Sequence, residues 1–216
     1  MDALNLDIPF NCRFTCWFCG EGSHKTIVTT LSTHQEYSLN MPICDECKSY
    51  RCHHAANSLG KLKALIKEKI VLRSAKALAI GTNWTEKELQ ESELNGAAFD
   101  GFKKSGWPMY LIAKERVNYS GWELCVDGVP IENTTNDENY VFDGLTFASF
   151  ISMLDYLTHT FSLHKEFLQK VITIYGNNRV IEAVKFCRLV PNESTLEREK
   201  AVSDLIAYFK EKDTIG

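Results

Sequence analysis

Two Cys-x-x-Cys pairs, Cys16/Cys19 and Cys44/Cys47, stand 24 residues apart in the first quarter of a 216-residue chain. Two residues between sulfurs let one tight turn aim both at a single ion, and two such turns complete a tetrahedral shell. Zinc takes thiolates at about 2.3 Å with no directional preference beyond tetrahedral packing. The spacing therefore predicts a four-cysteine zinc site held by Cys16, Cys19, Cys44 and Cys47. A closed shell of four sulfurs leaves no open position for water, so the expected Zn2+ is structural and not catalytic.

The redox setting agrees. The N-terminus carries Asp2 and Asp7 and lacks a basic segment followed by an apolar run, so no secretion signal is expected. The expected compartment is the cytoplasm, where disulfides seldom persist. The longest strongly apolar, uncharged stretch, Gly144 to Leu154, is too short to span a bilayer. Of the eight cysteines, Cys125 and Cys187 sit in apolar patterns and read as core. Cys12 and Cys52, with His53 and His54, leave a second metal site open. No second well-spaced quartet exists, and partly buried residues near the finger are the favoured reading.

The flanks of the cysteine pairs suggest local structure. Cys16-Trp-Phe-Cys19-Gly20 has the form of a zinc knuckle, with Gly20 supplying the backbone freedom its turn needs. Thr26 to Ser32 is rich in Val, Ile and Thr and predicts a strand, and Glu36 to Ile43 predicts a second. From Cys44 the chain reads as helix, with Asp45 and Glu46 suited to its N-terminus. Knuckle, hairpin, then a helix carrying the second pair: in this order residues 12 to about 58 resemble the treble-clef zinc-finger superfamily. That superfamily includes HNH-type nucleases, which need a histidine base with further His or Asn groups. His34, Asn40 and His53 supply the order His, Asn, His, but Thr33 and Lys48 stand where that family places further site residues.

The rest is expected to be helical. Leu62, Leu65, Ile66 and Ile70 mark one face of a helix from Leu59 to Ile80, ended by Gly81. Thr85 with Glu88 forms a capping box that opens a short helix. Ala97 to Lys104 predicts another helix, and Pro108 opens a separate one to about Val117. Asp127-Gly128, flanked by Leu124, Val126, Val129 and Ile131, predicts a β-hairpin, followed by a polar loop over 132–140. Four helical stripes end the chain, the last capped by Ser194 and Glu197. The expected fold is mainly α: a four-cysteine treble-clef finger over 1–58 made of a β-hairpin and a helix, then a helical bundle over 59–216 with one small β-hairpin.

Charge suggests a partner. The formal net charge is −4, yet Lys48 to Lys76 holds eight basic residues and one acid, Glu68. Arg51, Lys61, Lys63, Lys67, Lys69 and Arg73 are the candidates for phosphate contact, with a solvated helix face as the alternative. Glycine-rich phosphate loops, nucleophile elbows and His-Glu-x-x-His helices are absent from the sequence. In outline, a short finger before a helical remainder is also similar to the small zinc-finger large subunit of type IV CRISPR effector complexes. That resemblance rests on the Cys-x-x-Cys-Gly knuckle and the second pair, and implies a role beside guide-bound nucleic acid. The expected function is a non-catalytic zinc-binding module contacting nucleic acid or a protein complex. An HNH-type endonuclease and a pure protein adaptor are the alternatives.

Overall fold

The computed structural model describes residues 3–32, 36–51, 58–131, 140–190 and 194–215. His34, Cys52, His53 and His54 lie outside the described residues, as does the loop 132–139. The chain forms two compact units, Met1–Asn139 with Leu145–Ser149, and Tyr140–Gly144 with Phe150–Gly216. Residues on both sides of position 58 belong to the first unit. No helix among the described residues is long and apolar enough to cross a membrane.

The first unit opens on a three-stranded sheet. Strand β2 (Thr26–Ser32) pairs antiparallel with β3 (Glu36–Pro42), with Val28 opposite Asn40, and β1 (Leu4–Asn5) adds in parallel to the far edge of β3. Alternation places Ile27 and Thr29 on the buried side and exposes Val28. Helix α1 (Asp45–Arg51) follows at once. Helix α2 (Leu59–Asn83) starts at Ser58, whose hydroxyl accepts from the Lys61 amide, and packs along α4 (Ala97–Asn118). Its buried side carries Leu62, Ile66, Ile70, Val71 and Leu78. Between them, α3 (Glu86–Glu91) has the expected capping box at Thr85 and Glu88.

Two boundaries differ from expectation. Gly81 does not end α2, which continues to Asn83. It is instead a point of close approach, because a Cβ there would overlap the Tyr110 ring. Residues 97–118 form one helix with Pro108 inside it. Proline denies the carbonyl four residues back its donor. Lys104 and Pro108 are both exposed, so water can serve that carbonyl and the helix runs on. The expected hairpin is present as β4 (Cys125–Val126) and β5 (Val129–Pro130), with Asp127 and Gly128 at positive φ of 51° and 76°. A second Asp-Gly turn, Asp143–Gly144, joins the short strands β6 (Tyr140–Phe142) and β7 (Leu145–Phe147).

In the second unit, helices α5 (Phe150–Phe161), α6 (Lys165–Tyr175), α7 (Val180–Leu189) and α8 (Thr195–Ile215) follow one another through short turns. Leu154, Tyr156, Leu157, Leu168, Val171, Ile172 and Ala183 are its fully buried centre. Ser194 and Glu197 cap α8 reciprocally. Ile151, among the apolar residues of α5, points outward and is 61% exposed.

Candidate metal centre

The first cysteine pair sits at the end of a tight hairpin. Thr15 bridges Gly22, the Cys16 amide donates to the Glu21 carbonyl at 2.7 Å, and the Gly20 amide donates to the Cys16 carbonyl at 3.0 Å. Gly20 closes this turn at φ +79°, a conformation that side chains rarely accept. The second pair is placed by α1. The Cys44 carbonyl accepts the first helical bond, from Lys48 at 2.9 Å, so Cys44 occupies the N-cap. Its sulfur accepts from the Cys47 amide at 3.5 Å, the role that serine or aspartate usually plays there.

Hydrogen bonds bring the pairs together. The Trp17 amide donates to the Pro42 carbonyl at 3.2 Å, and the buried Ser23 hydroxyl donates to the Ile43 carbonyl at 2.5 Å. The four Sγ atoms then lie within 4.8 Å of one another, and those of Cys19 and Cys44 are 3.7 Å apart. A tetrahedron with arms of about 2.3 Å has edges of about 3.8 Å, whereas a disulfide needs about 2.05 Å. The cluster thus has the size of a metal shell. It is also closed: Cys16 and Cys47 are wholly buried, Cys19 is 2% exposed and Cys44 9%. Four thiols within hydrogen-bond reach cannot all ionise on their own. The hydrogen bond from Cys16 brings Cys19 down to about 7, and hydrogen bonds from Cys16 and Cys19 depress Cys44 further, while Cys16 and Cys47 are pushed up. A divalent cation resolves that conflict by allowing four thiolates at once. The donor set and spacing fit zinc, which would supply a fixed cross-link.

Cations from α2 and α4 surround the cluster. Arg116 pairs with Glu46 of α1 and places its Nε 3.3 Å from Glu21 Oε1 on the knuckle, and the neighbouring Cys19 sulfur favours its charge. Burial opposes the charge on Glu46, but the hydrogen bonds from Arg116 and Tyr50 and the Arg116 charge together outweigh it and hold this carboxyl below its ordinary value. Lys67 is only 8% exposed, and its ammonium donates to the carbonyls of Arg116 at 2.7 Å and Val117 at 2.9 Å. It thereby serves the C-terminal end of α4, where carbonyls lack amide partners. Burial, and then the charge of Lys63, lower Lys67 to about 7. Lys63 lies 4.5 Å from the Trp17 ring centre and donates to the Ser120 carbonyl.

The six basic residues expected at phosphates therefore occupy different surroundings. Lys63 and Lys67 turn inward. At about 100° per residue, Lys61, Lys69, Arg73 and Lys76 share one arc of α2 about 120° wide, together with Leu65 and Leu72. Lys61, Arg73 and Lys76 are exposed and Lys69 is half-buried. No carboxylate among the described residues forms an ion pair with any of these four. Arg51, on α1, donates to the Val28 carbonyl at 2.7 Å.

Sequence reasoning missed a groove beside this arc. About 560 Å³ in volume, it lies between α1, α2 and α4, with Tyr50, Arg73, Ala77, Met109 and Ile112 in its lining. Met109 and Ile112 are 52% and 56% exposed, and their i, i+3 spacing on α4 was the one available signal. Comparisons with family models, with curated proteins and with solved structures found no match for the chain.

Proposed function

We propose that the chain is a non-catalytic module in which zinc, held by Cys16, Cys19, Cys44 and Cys47, builds a treble-clef finger, and the outward arc of α2 binds nucleic acid. The observation that carries this reading is the row of cations without acidic partners among the described residues. Some exposed bases elsewhere do find acids, as Lys25 finds Asp45 at 2.5 Å and Lys87 finds Glu91 at 3.9 Å. Lys61, Lys69, Arg73 and Lys76 do not, although the chain as a whole is acidic. A stripe of cations left free to exchange counterions for phosphates is the electrostatic footprint of backbone binding. Arg51 can extend it if it gives up the Val28 carbonyl. A place in a larger nucleoprotein assembly suits such a module, and the outline similarity to the small type IV CRISPR subunit points the same way.

The test is salt-dependent binding of labelled DNA and RNA by fluorescence anisotropy. The double variant Lys69→Glu/Arg73→Glu should bind at least about tenfold more weakly with a shallower salt dependence. Lys87→Glu, elsewhere on the unit, should leave binding unchanged. Lys67 is unsuited to the test, because Lys67→Glu would bury a carboxylate against two carbonyl oxygens. No binding at low salt, to either nucleic acid, overturns the reading.

A further inference from the structure

We infer that the groove beside Arg73 accepts an unstacked nucleobase, so that the module prefers single-stranded to duplex nucleic acid. This rests on the reading of α2 as a phosphate-binding face and adds to it a substrate class.

Arg73 connects the two features. It belongs to the outward arc of α2 and also lines the groove, where its charge is felt by the Tyr50 hydroxyl. A phosphate held by Arg73 would leave its own nucleoside within reach of the groove. The groove has the volume of a small-molecule site, which spans about 300–1,000 Å³. Its walls are mixed in the way a base requires. Met109, Ile112 and Ala77 offer apolar surface to a base's faces, and Tyr50 adds an aromatic ring. Ser74 offers a hydroxyl to its edges, and the Ser49 and Tyr50 oxygens, whose protons go to Glu46, offer acceptors.

Charge sets the direction of entry. The outer lip carries Arg73, which no acid among the described residues neutralises. At the other side Arg116 is already paired with Glu46 and Glu21, and Tyr50 donates to Glu46 at 2.8 Å. A phosphate or an acidic side chain pushed that far would meet the Glu46 carboxylate. A neutral base would not, and its ring or exocyclic N–H groups could donate to Glu46. The arrangement thus favours phosphate outside and base inside over an acidic peptide lying in the groove. In a duplex the bases remain stacked and paired, so the groove stays empty and only the backbone contacts form.

The test compares a labelled 12-nucleotide oligo-dT or oligo-U with a 12-base-pair duplex, against the zinc-loaded full chain and two groove variants. Ala77→Trp fills the groove from α2, and Ile112→Glu places a carboxylate on its exposed α4 wall. Circular dichroism and metal content confirm that each is folded. The wild-type chain should bind the single strand about tenfold or more tightly than the duplex. Both variants should lose that preference while keeping duplex affinity. Equal affinity for the two forms, or a preference untouched by both variants, overturns the groove assignment and leaves the α2 reading standing. Failure to bind either form removes the α2 reading itself. If a labelled glutamate-rich peptide binds and is expelled by Ala77→Trp while the oligonucleotide is not, the groove belongs to a protein partner and the inference is wrong.

Discussion

Cys44 does two jobs with one atom. Its sulfur is a candidate ligand and also the N-cap acceptor of α1, at the positive end of a helix dipole that favours a thiolate. Cys44→Ser keeps a capping oxygen but loses the soft donor, whereas Cys47→Ser loses a donor with no capping role. Both should abolish stoichiometric zinc, read by elemental analysis of the purified protein. If either variant retains one tightly bound zinc per chain, the four-sulfur shell is not the site. Glu46 gives a second prediction at this scale. Its folded carboxyl lies below the ordinary 4.5 because the hydrogen bonds from Arg116 and Tyr50 and the Arg116 charge together outweigh the effect of burial. The contact therefore contributes fully above about pH 4.5 and is lost as the pH falls through the folded value. Glu46→Gln should cost about 1–2 kcal/mol near pH 7, allowing for partial exposure of the pair. The difference between wild type and variant should shrink progressively below pH 4.5, measured by denaturant titration. A gap that stays constant with pH would mean that the carboxylate charge plays no part.

At the scale of elements, α2 and α4 hold the unit together through Gly81 and Tyr110. Alanine would improve the helical propensity of position 81 by about 1 kcal/mol, but its Cβ cannot coexist with the Tyr110 ring as placed. Displacing a buried ring costs more than propensity returns, so Gly81→Ala should destabilise the chain by about 2 kcal/mol net. In a Tyr110→Ala background the same change should become neutral or stabilising, which a double-mutant cycle in urea resolves. This contact also shows why sequence reading stopped where it did. Gly81 falls where a helical pattern ends and resembles a cap, because nothing local announces Tyr110, 29 positions later in the chain. Cys16, Cys19, Cys44 and Cys47 were legible because each pair encodes its own turn. The capping box at Thr85 and the Asp127–Gly128 hairpin were legible for the same reason. Lys63 and Lys67 were not separable from Lys69 and Arg73, since only the position of α4 decides which lysines are covered. The groove was illegible because it forms only where α4 meets α1 and α2.

For the whole molecule, the metal and the two compact units make a prediction that spectroscopy can divide. All four tryptophans, Trp17, Trp84, Trp107 and Trp122, belong to the first unit, and Trp17 is 1% exposed beside Cys16. The second unit has its own buried centre and none of the four cysteines. In the first unit the cluster ties the knuckle to α1, and Arg116 and Lys67 tie that assembly to α4 and α2. Removing a bound ion would leave four close thiols that cannot all ionise. Metal binding and folding are therefore expected to be coupled there, as they are in small zinc domains. A strong chelator should lower the tryptophan-fluorescence melting transition by about 10 °C or more, while a helical circular-dichroism transition from α5–α8 stays at its original temperature. Adding back one equivalent of zinc should restore the first transition. If the fluorescence transition does not move, the ion is not what fixes the first unit. If both transitions fall together, the second unit depends on the first for its stability, and its own buried centre is insufficient to hold it.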